Sequence, residues 1–245
     1  MAQDWVYDRS YGDSVAEAPV NVRAVFIRKT YLTLGAAVLA FTALTAALVS
    51  SGAAEQFVKS LFVSRGAIIG LMVAFIVGGM TAQAMARSQS SPVLQWAGLI
   101  LYTLLQVVIF LPILVISETF PQYAGQNLAL QAGLCTLLVF GALTFTVVAS
   151  GKDFSFLRPF LIVASFAALG FILVSVFLGG PSLGLGFTIL MLLLSAGYVL
   201  YDTSNVLKHY QPGSHVAAAL ELFASVTLMF YYMLRLFMSQ SSSRN

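Results

Sequence analysis

Seven apolar runs of about twenty residues or more dominate this chain. They fall at roughly 30–50, 67–86, 93–117, 128–149, 157–178, 183–207 and 216–238, and each is long enough to cross a bilayer as a helix. Lipid offers no hydrogen bonds, so each segment must satisfy its own backbone groups, and helices do this. No run shows the ten-residue alternation of a membrane barrel strand. Only 9% of residues are charged, 59% are hydrophobic, and the mean hydropathy is +0.91. A soluble domain carries about a quarter charged residues. The sequence predicts an all-α polytopic membrane protein of seven transmembrane helices, with the lipid bilayer as its first partner.

The loops carry the orientation signal. Arg9, Arg23, Arg28 and Lys29 precede the first span; Arg87, Lys152, Arg158 and Lys208 fall in later loops of the same side. The opposite side shows Lys59 and Arg65 against Glu55. This excess places the N-terminus in the cytoplasm. Residues 1–22 are polar, carry Asp4, Asp8, Asp13 and Glu17, and lack the basic start and short apolar core of a signal peptide. They are expected to form a mobile polar arm, followed by a seven-helix domain over 23–238 and a short polar tail over 239–245. The net charge of +3 is spread over loops and is no nucleic-acid patch. The single Cys135 excludes a disulfide framework and a thiolate metal site. Gly66, Gly70, Gly78, Gly79, Gly184 and Gly186 suit close helix packing, with Gly66 and Gly70 in a small-xxx-small pattern. Pro112 falls inside span three, where it should kink the helix.

Nine carboxylates exist, and only Asp202 and Glu221 lie within spans. They flank the turn at Gln211, Pro212 and Gly213 at nearly equal distance. A helical hairpin therefore brings them to similar depth, inside the hydrocarbon. An ionisable group there costs about 2.5–3.5 kcal/mol on insertion scales, which marks it as a functional candidate. Two carboxylates close together in low dielectric cannot both ionise cheaply. One should hold a proton near neutral pH, or the pair should bind a cation, and oxygen ligands suit calcium. The plain alternative is that each acid snorkels or bonds to a helix neighbour. Ser225 lies one turn after Glu221 on the same face, and Tyr232 and Arg235 continue that stripe. Arg87 closes span two, either as a latch reaching the Asp202 hairpin or as a positive-inside anchor. His209 and His215 flank the turn and read as solvated loop residues, with nothing nearby spaced as a ligand set. The chain has no G-x-S-x-G, no H-E-x-x-H and no phosphate-binding loop, so no enzyme and no cofactor are expected.

Four stretches carry a family resemblance: Phe26-Ile-Arg-Lys-Thr-Tyr31, Lys152-Asp-Phe-Ser-Phe-Leu157, Gly197-Tyr-Val-Leu-Tyr-Asp-Thr203, and Ala219-Leu-Glu-Leu-Phe223 with Leu234-Arg-Leu236. Together they resemble the Bax inhibitor-1 family over nearly the whole chain beyond residue 22. The resemblance implies a central last helix wrapped by the other six. It also implies a pH-sensitive calcium leak gated by paired aspartates on spans six and seven and latched by an arginine on span two. Asp202 matches the first aspartate, and Arg87 matches the arginine if a short insertion is allowed. Ser225 takes the place of the second aspartate, and Glu221, one turn earlier, is the acid that would substitute. The Tyr-Asp-Thr-Ser-Asn stretch is also similar to the branch of a bacterial protein that modulates a membrane-anchored ATP-dependent protease.

The expectation is a proton-sensitive cation leak in a bacterial inner membrane, with Asp202, Glu221 and Ser225 as sensor and ion site and Arg87 as latch. The alternative is an interaction protein that restrains a membrane-anchored protease through its polar arm. A stress-related scaffold with neither activity is the third reading.

Overall fold

A computed structural model describes residues 14–88, 91–123, 125–178 and 184–242. Among them the chain forms α1 (Val20–Ser50), α2 (Ala53–Leu61), α3 (Arg65–Ala86), α4 (Pro92–Thr119), α5 (Leu128–Ser150), a 3-10 turn (Ser155–Leu157), α6 (Arg158–Leu178), α7 (Leu185–Lys208) and α8 (His215–Ser242), with no strand among the described residues. Every helix but α2 is long and apolar enough to cross a membrane. Local chemistry sets several boundaries. Ser64 and Ser91 accept the backbone N–H of Ala67 and Leu94, capping α3 and α4. Pro92 opens α4, where its missing N–H does no harm. Gly151 closes α5 in the left-handed conformation, at φ 59°. Buried Thr45, Thr103 and Thr136 return their hydroxyl protons to the carbonyl four residues back, which satisfies them without a partner helix.

The last helix is the axis of the bundle. α8 packs against α1, α3, α4, α5 and α7, while α6 lies outside on α7. Residues 216–220 of α8 are all buried, as are Leu222, Phe223, Val226 and Met229. Phe41 of α1, Phe110 of α4 and Phe223 and Phe230 of α8 form an aromatic knot, with Phe41 edge-on to Phe110 at 5.0 Å and Phe110 stacked on Phe230 at 5.5 Å. Large apolar side chains point outward from the peripheral helices: Leu39 of α1, Leu138 of α5 and Phe166 of α6 are all more than 70% exposed. Water does not tolerate such a surface and lipid does. α8 runs unbroken for 28 residues, about 42 Å, which is enough for a full crossing.

Several expectations need correction. The arm over 1–22 is shorter in its described part, residues 1–13 lying outside the described residues. Val15 is fully buried, its backbone N–H donates to the Tyr210 carbonyl at 2.8 Å, and α1 already begins at Val20. Val15 and Ala18 are buried, and the Val15 backbone bond ties this stretch to the α7–α8 turn. The tail expected from 239 is helical to Ser242, because Ser241 is buried and bonds to Gln126 and the Gln122 carbonyl. The amphipathic α2, unforeseen in the sequence, sets Ala54, Val58 and Leu61 against Leu111 and Val115 of α4. The small-xxx-small pair is not a helix contact: a methyl group on Gly70 would meet nothing within 4 Å, and on Gly66 only Ser64 at 3.8 Å. The closest approach is at Gly98, where α4 lies on α3.

Candidate functional site

Asp202 and Glu221 sit symmetrically on the hairpin. Asp202 lies six residues before the end of α7, and Glu221 six residues after the start of α8, each about 9 Å in. The helical repeat then puts Tyr198, Asp202 and Asn205 on one face of α7, and Glu221, Ser225 and Leu228 on one face of α8. The two faces meet. Ser225 Oγ donates to Asp202 Oδ2, and Asp202 is only 6% exposed. Ser225 Oγ also lies 3.3 Å from the Glu221 carbonyl. A serine hydroxyl has one proton, so it serves one of these acceptors at a time.

Glu221 has different partners. Arg87, which caps α3, donates to its Oε1, and Asn205 Nδ2 donates to its Oε2 at 3.3 Å. The Arg87 guanidinium thus reaches the hairpin, through Glu221 and not Asp202. The Glu221 side chain is 15% exposed and that of Arg87 is 59%. The pair therefore closes the site on its wet side and is weakened by solvent there. Tyr210 bonds to the same carboxylate. Burial pushes its phenol well above the ordinary range, and the charge on Glu221 adds to the effect. Val15 is tied to the Tyr210 carbonyl, so the base of the arm rests on the turn that carries this contact.

All four expected residues, Asp202, Glu221, Ser225 and Arg87, line one cavity of about 590 Å³ between α3, α4, α6, α7 and α8. Gln83, Gln106, Arg158 and Ser165 also line it, as does Tyr232 of the expected stripe. Arg235 departs from the stripe and lies over the Phe187 ring at 6.0 Å. No group of three or more His, Cys, Asp or Glu gathers among the described residues. The two carboxylates, one held by Arg87 and one by Ser225, are by themselves fewer than the six to eight oxygens of a calcium site.

A second polar cluster was missed in the sequence. Asp153 Oδ1 accepts the Ser155 backbone N–H at 2.9 Å and the Ser155 hydroxyl at 2.6 Å. His209 Nε2 lies 3.0 Å from Asp153 Oδ2 and 3.1 Å from Ser155 Oγ. Ser204 Oγ accepts the Phe154 N–H at 3.0 Å and donates to Asp153 at 3.4 Å. This clasp fastens the Lys152–Leu157 stretch to the end of α7, two residues from Asp202. His209 is therefore no free loop histidine; His215 packs edge-on against Trp96 at 6.4 Å. The signal was a carboxylate followed two residues later by serine, a local turn motif. The bonds from Ser155 and the neighbouring His209 hold the Asp153 carboxyl well below the usual carboxylate range. Its contribution is thus present above the unfolded value of about 3.9 and lost as pH falls through the lower folded value. Asp153→Ala should lower the melting temperature at neutral pH, and the gap to wild type should close in acid below about pH 3.9. A gap that is constant with pH in thermal melts would refute this assignment.

The comparisons agree with the resemblance. Residues 23–242 match the family described as "Inhibitor of apoptosis-promoting Bax1". The chain belongs to the Bax inhibitor-1 family. It is an integral, multi-pass membrane protein. Among similar proteins, a Golgi anti-apoptotic protein of vaccinia virus (strain Lister) is 27% identical over 237 residues, 94% of this chain and 91% of the viral protein. Protein lifeguard 4 of Mus musculus is 27% identical over 233 residues, 93% of this chain and 90% of the mouse protein. An uncharacterized protein of Pseudomonas aeruginosa is 32% identical over 113 residues, 46% of this chain and 50% of that protein. No solved structure matches the chain.

Proposed function

We propose that this member of the Bax inhibitor-1 family is a proton-sensitive cation leak, with calcium as its cargo, in a bacterial inner membrane and with its N-terminus in the cytoplasm. The observation that carries the reading is one intramembrane cavity shared by Asp202 and Glu221, each held by a partner that can let go. When Asp202 is ionised, the Ser225 proton serves it. When Asp202 is protonated, it donates to Ser225 Oγ, and the Ser225 proton is free for the Glu221 carbonyl 3.3 Å away. The bond direction between α7 and α8 thus follows the protonation state. On the other side, Arg87 neutralises Glu221, and a cation entering the cavity competes with that guanidinium for the same oxygens. The reaction is transport; no bond is made or broken, and no cofactor takes part.

Calcium entry into proteoliposomes, followed with an entrapped indicator over a pH series, tests the reading. Wild type should show pH-dependent flux, and the Asp202→Asn/Glu221→Gln double variant should show neither the flux nor its pH dependence. Absence of flux in the wild type, or a double variant that matches it, sinks the proposal. Arg87→Gln, which removes the guanidinium from Glu221, should raise the resting flux. The protease-restraining alternative makes the opposite demand: deleting residues 1–13 should abolish co-purification of a membrane-anchored protease, while the purified protein conducts nothing.

A further inference from the structure

A second cavity, of about 360 Å³, opens at the end of the bundle where α1 begins and α5 and α7 end. Its size falls within the range of about 300–1,000 Å³ typical of ligand pockets. It is separate in its lining from the carboxylate cavity. Three cations surround it: Arg23 in the first turn of α1, Lys152 after α5, and Lys208 at the end of α7. No carboxylate lines it, and none of the three cations has an ion pair among the described residues. Lys208 Nζ donates to the Gly151 carbonyl at 2.8 Å, which fixes its ammonium at the rim and leaves two of its protons unused. The neighbouring Asp153 is outside the lining, and its oxygens are engaged by Ser155, Ser204 and His209.

The interior adds a second, independent observation. Tyr31 and Thr144 line the pocket; their hydroxyl oxygens are shut off from solvent, and neither makes a hydrogen bond of good geometry, although the two groups are neighbours. Apolar walls from Ile27, Val148 and Leu207 complete the pocket. Cations without an ion pair at the rim, hydroxyl groups within and apolar walls at a bundle end suit a phosphate group carried on a partly apolar molecule.

We propose that this pocket binds a phosphate group, with the rim cations Arg23, Lys152 and Lys208 on its oxygens and Tyr31 and Thr144 donating from within. The phosphate can be supplied by an anionic phospholipid headgroup at the membrane surface or by a soluble phosphate ester, and the experiment separates these sources. Full-length protein in neutral detergent is exposed to dioleoyl phosphatidylglycerol or dioleoyl phosphatidylcholine, and retained lipid is counted by native mass spectrometry. Inorganic phosphate and glycerol phosphate are tested in parallel as competitors and by thermal shift. Preferential retention of phosphatidylglycerol over phosphatidylcholine, lost about tenfold or more in Arg23→Gln/Lys152→Gln, supports the lipid source. A thermal shift with the soluble phosphates and no lipid preference supports the soluble source, provided the same double variant abolishes it. Arg28→Gln/Lys29→Gln removes equal charge from α1 outside the pocket and should leave binding unchanged. Thr144→Val removes a hydroxyl at nearly constant volume and should weaken binding without altering charge. Neither ligand binding, or equal losses in the two charge-matched double variants, overturns the proposal.

Discussion

Asp202→Asn alone is expected to lower calcium flux by about tenfold or more and to flatten its pH profile. A tenfold change corresponds to about 1.4 kcal/mol, less than the interaction of two unit charges about 4 Å apart at the effective dielectric of a protein near its surface, about 4 kcal/mol. Asparagine keeps the size of the side chain and still accepts from Ser225, so packing of α7 on α8 should survive. What it loses is the charge and the exchangeable proton. Ser225→Ala is the informative companion. It leaves Asp202 able to ionise but removes its hydrogen-bond partner, a bond to a charged group being worth about 1.5–3 kcal/mol. That variant should keep a pH-dependent flux with a displaced midpoint. If Asp202→Asn conducts with an unchanged pH profile, the sensor lies elsewhere.

The largest structural effect should come from Gly98→Val. A Cβ at this position would lie 2.5 Å from the Ala82 carbonyl oxygen and 2.6 Å from the Ala86 nitrogen. Both are backbone atoms of α3 and cannot swing aside. α4 must therefore separate from α3, at the cost of overpacking, about 1–3 kcal/mol or more. Ala86 adjoins Arg87, so the same displacement should draw the guanidinium from Glu221 and raise resting flux. Gly70→Ala is the control: nothing lies within 4 Å of its added carbon, and alanine favours helix by about 1 kcal/mol over glycine. Thermal melts in detergent should show a clear loss for Gly98→Val and none for Gly70→Ala. Equal melting temperatures for the two would mean that the α3–α4 approach is not as close as described.

The seven spans were legible because lipid permits so few backbone solutions: a run of about twenty apolar residues leaves only a helix. Asp202 and Glu221 were legible for a related reason, since charge inside such a run is costly enough to stand out against its neighbours. Equal spacing from a turn could also be counted, and that placed the two acids at one depth. The sequence did not show which glycine matters, because Gly66, Gly70 and Gly98 differ only in what faces them. Nor did it assign partners. That Arg87 takes Glu221, that Ser225 takes Asp202, and that Asp153 clasps His209 depend on helix rotation and on side chains 23 to 134 residues apart meeting in space. Periodicity along one helix fixes its own faces but not which neighbour a face meets; only the packed bundle, with α8 at its centre, decides that.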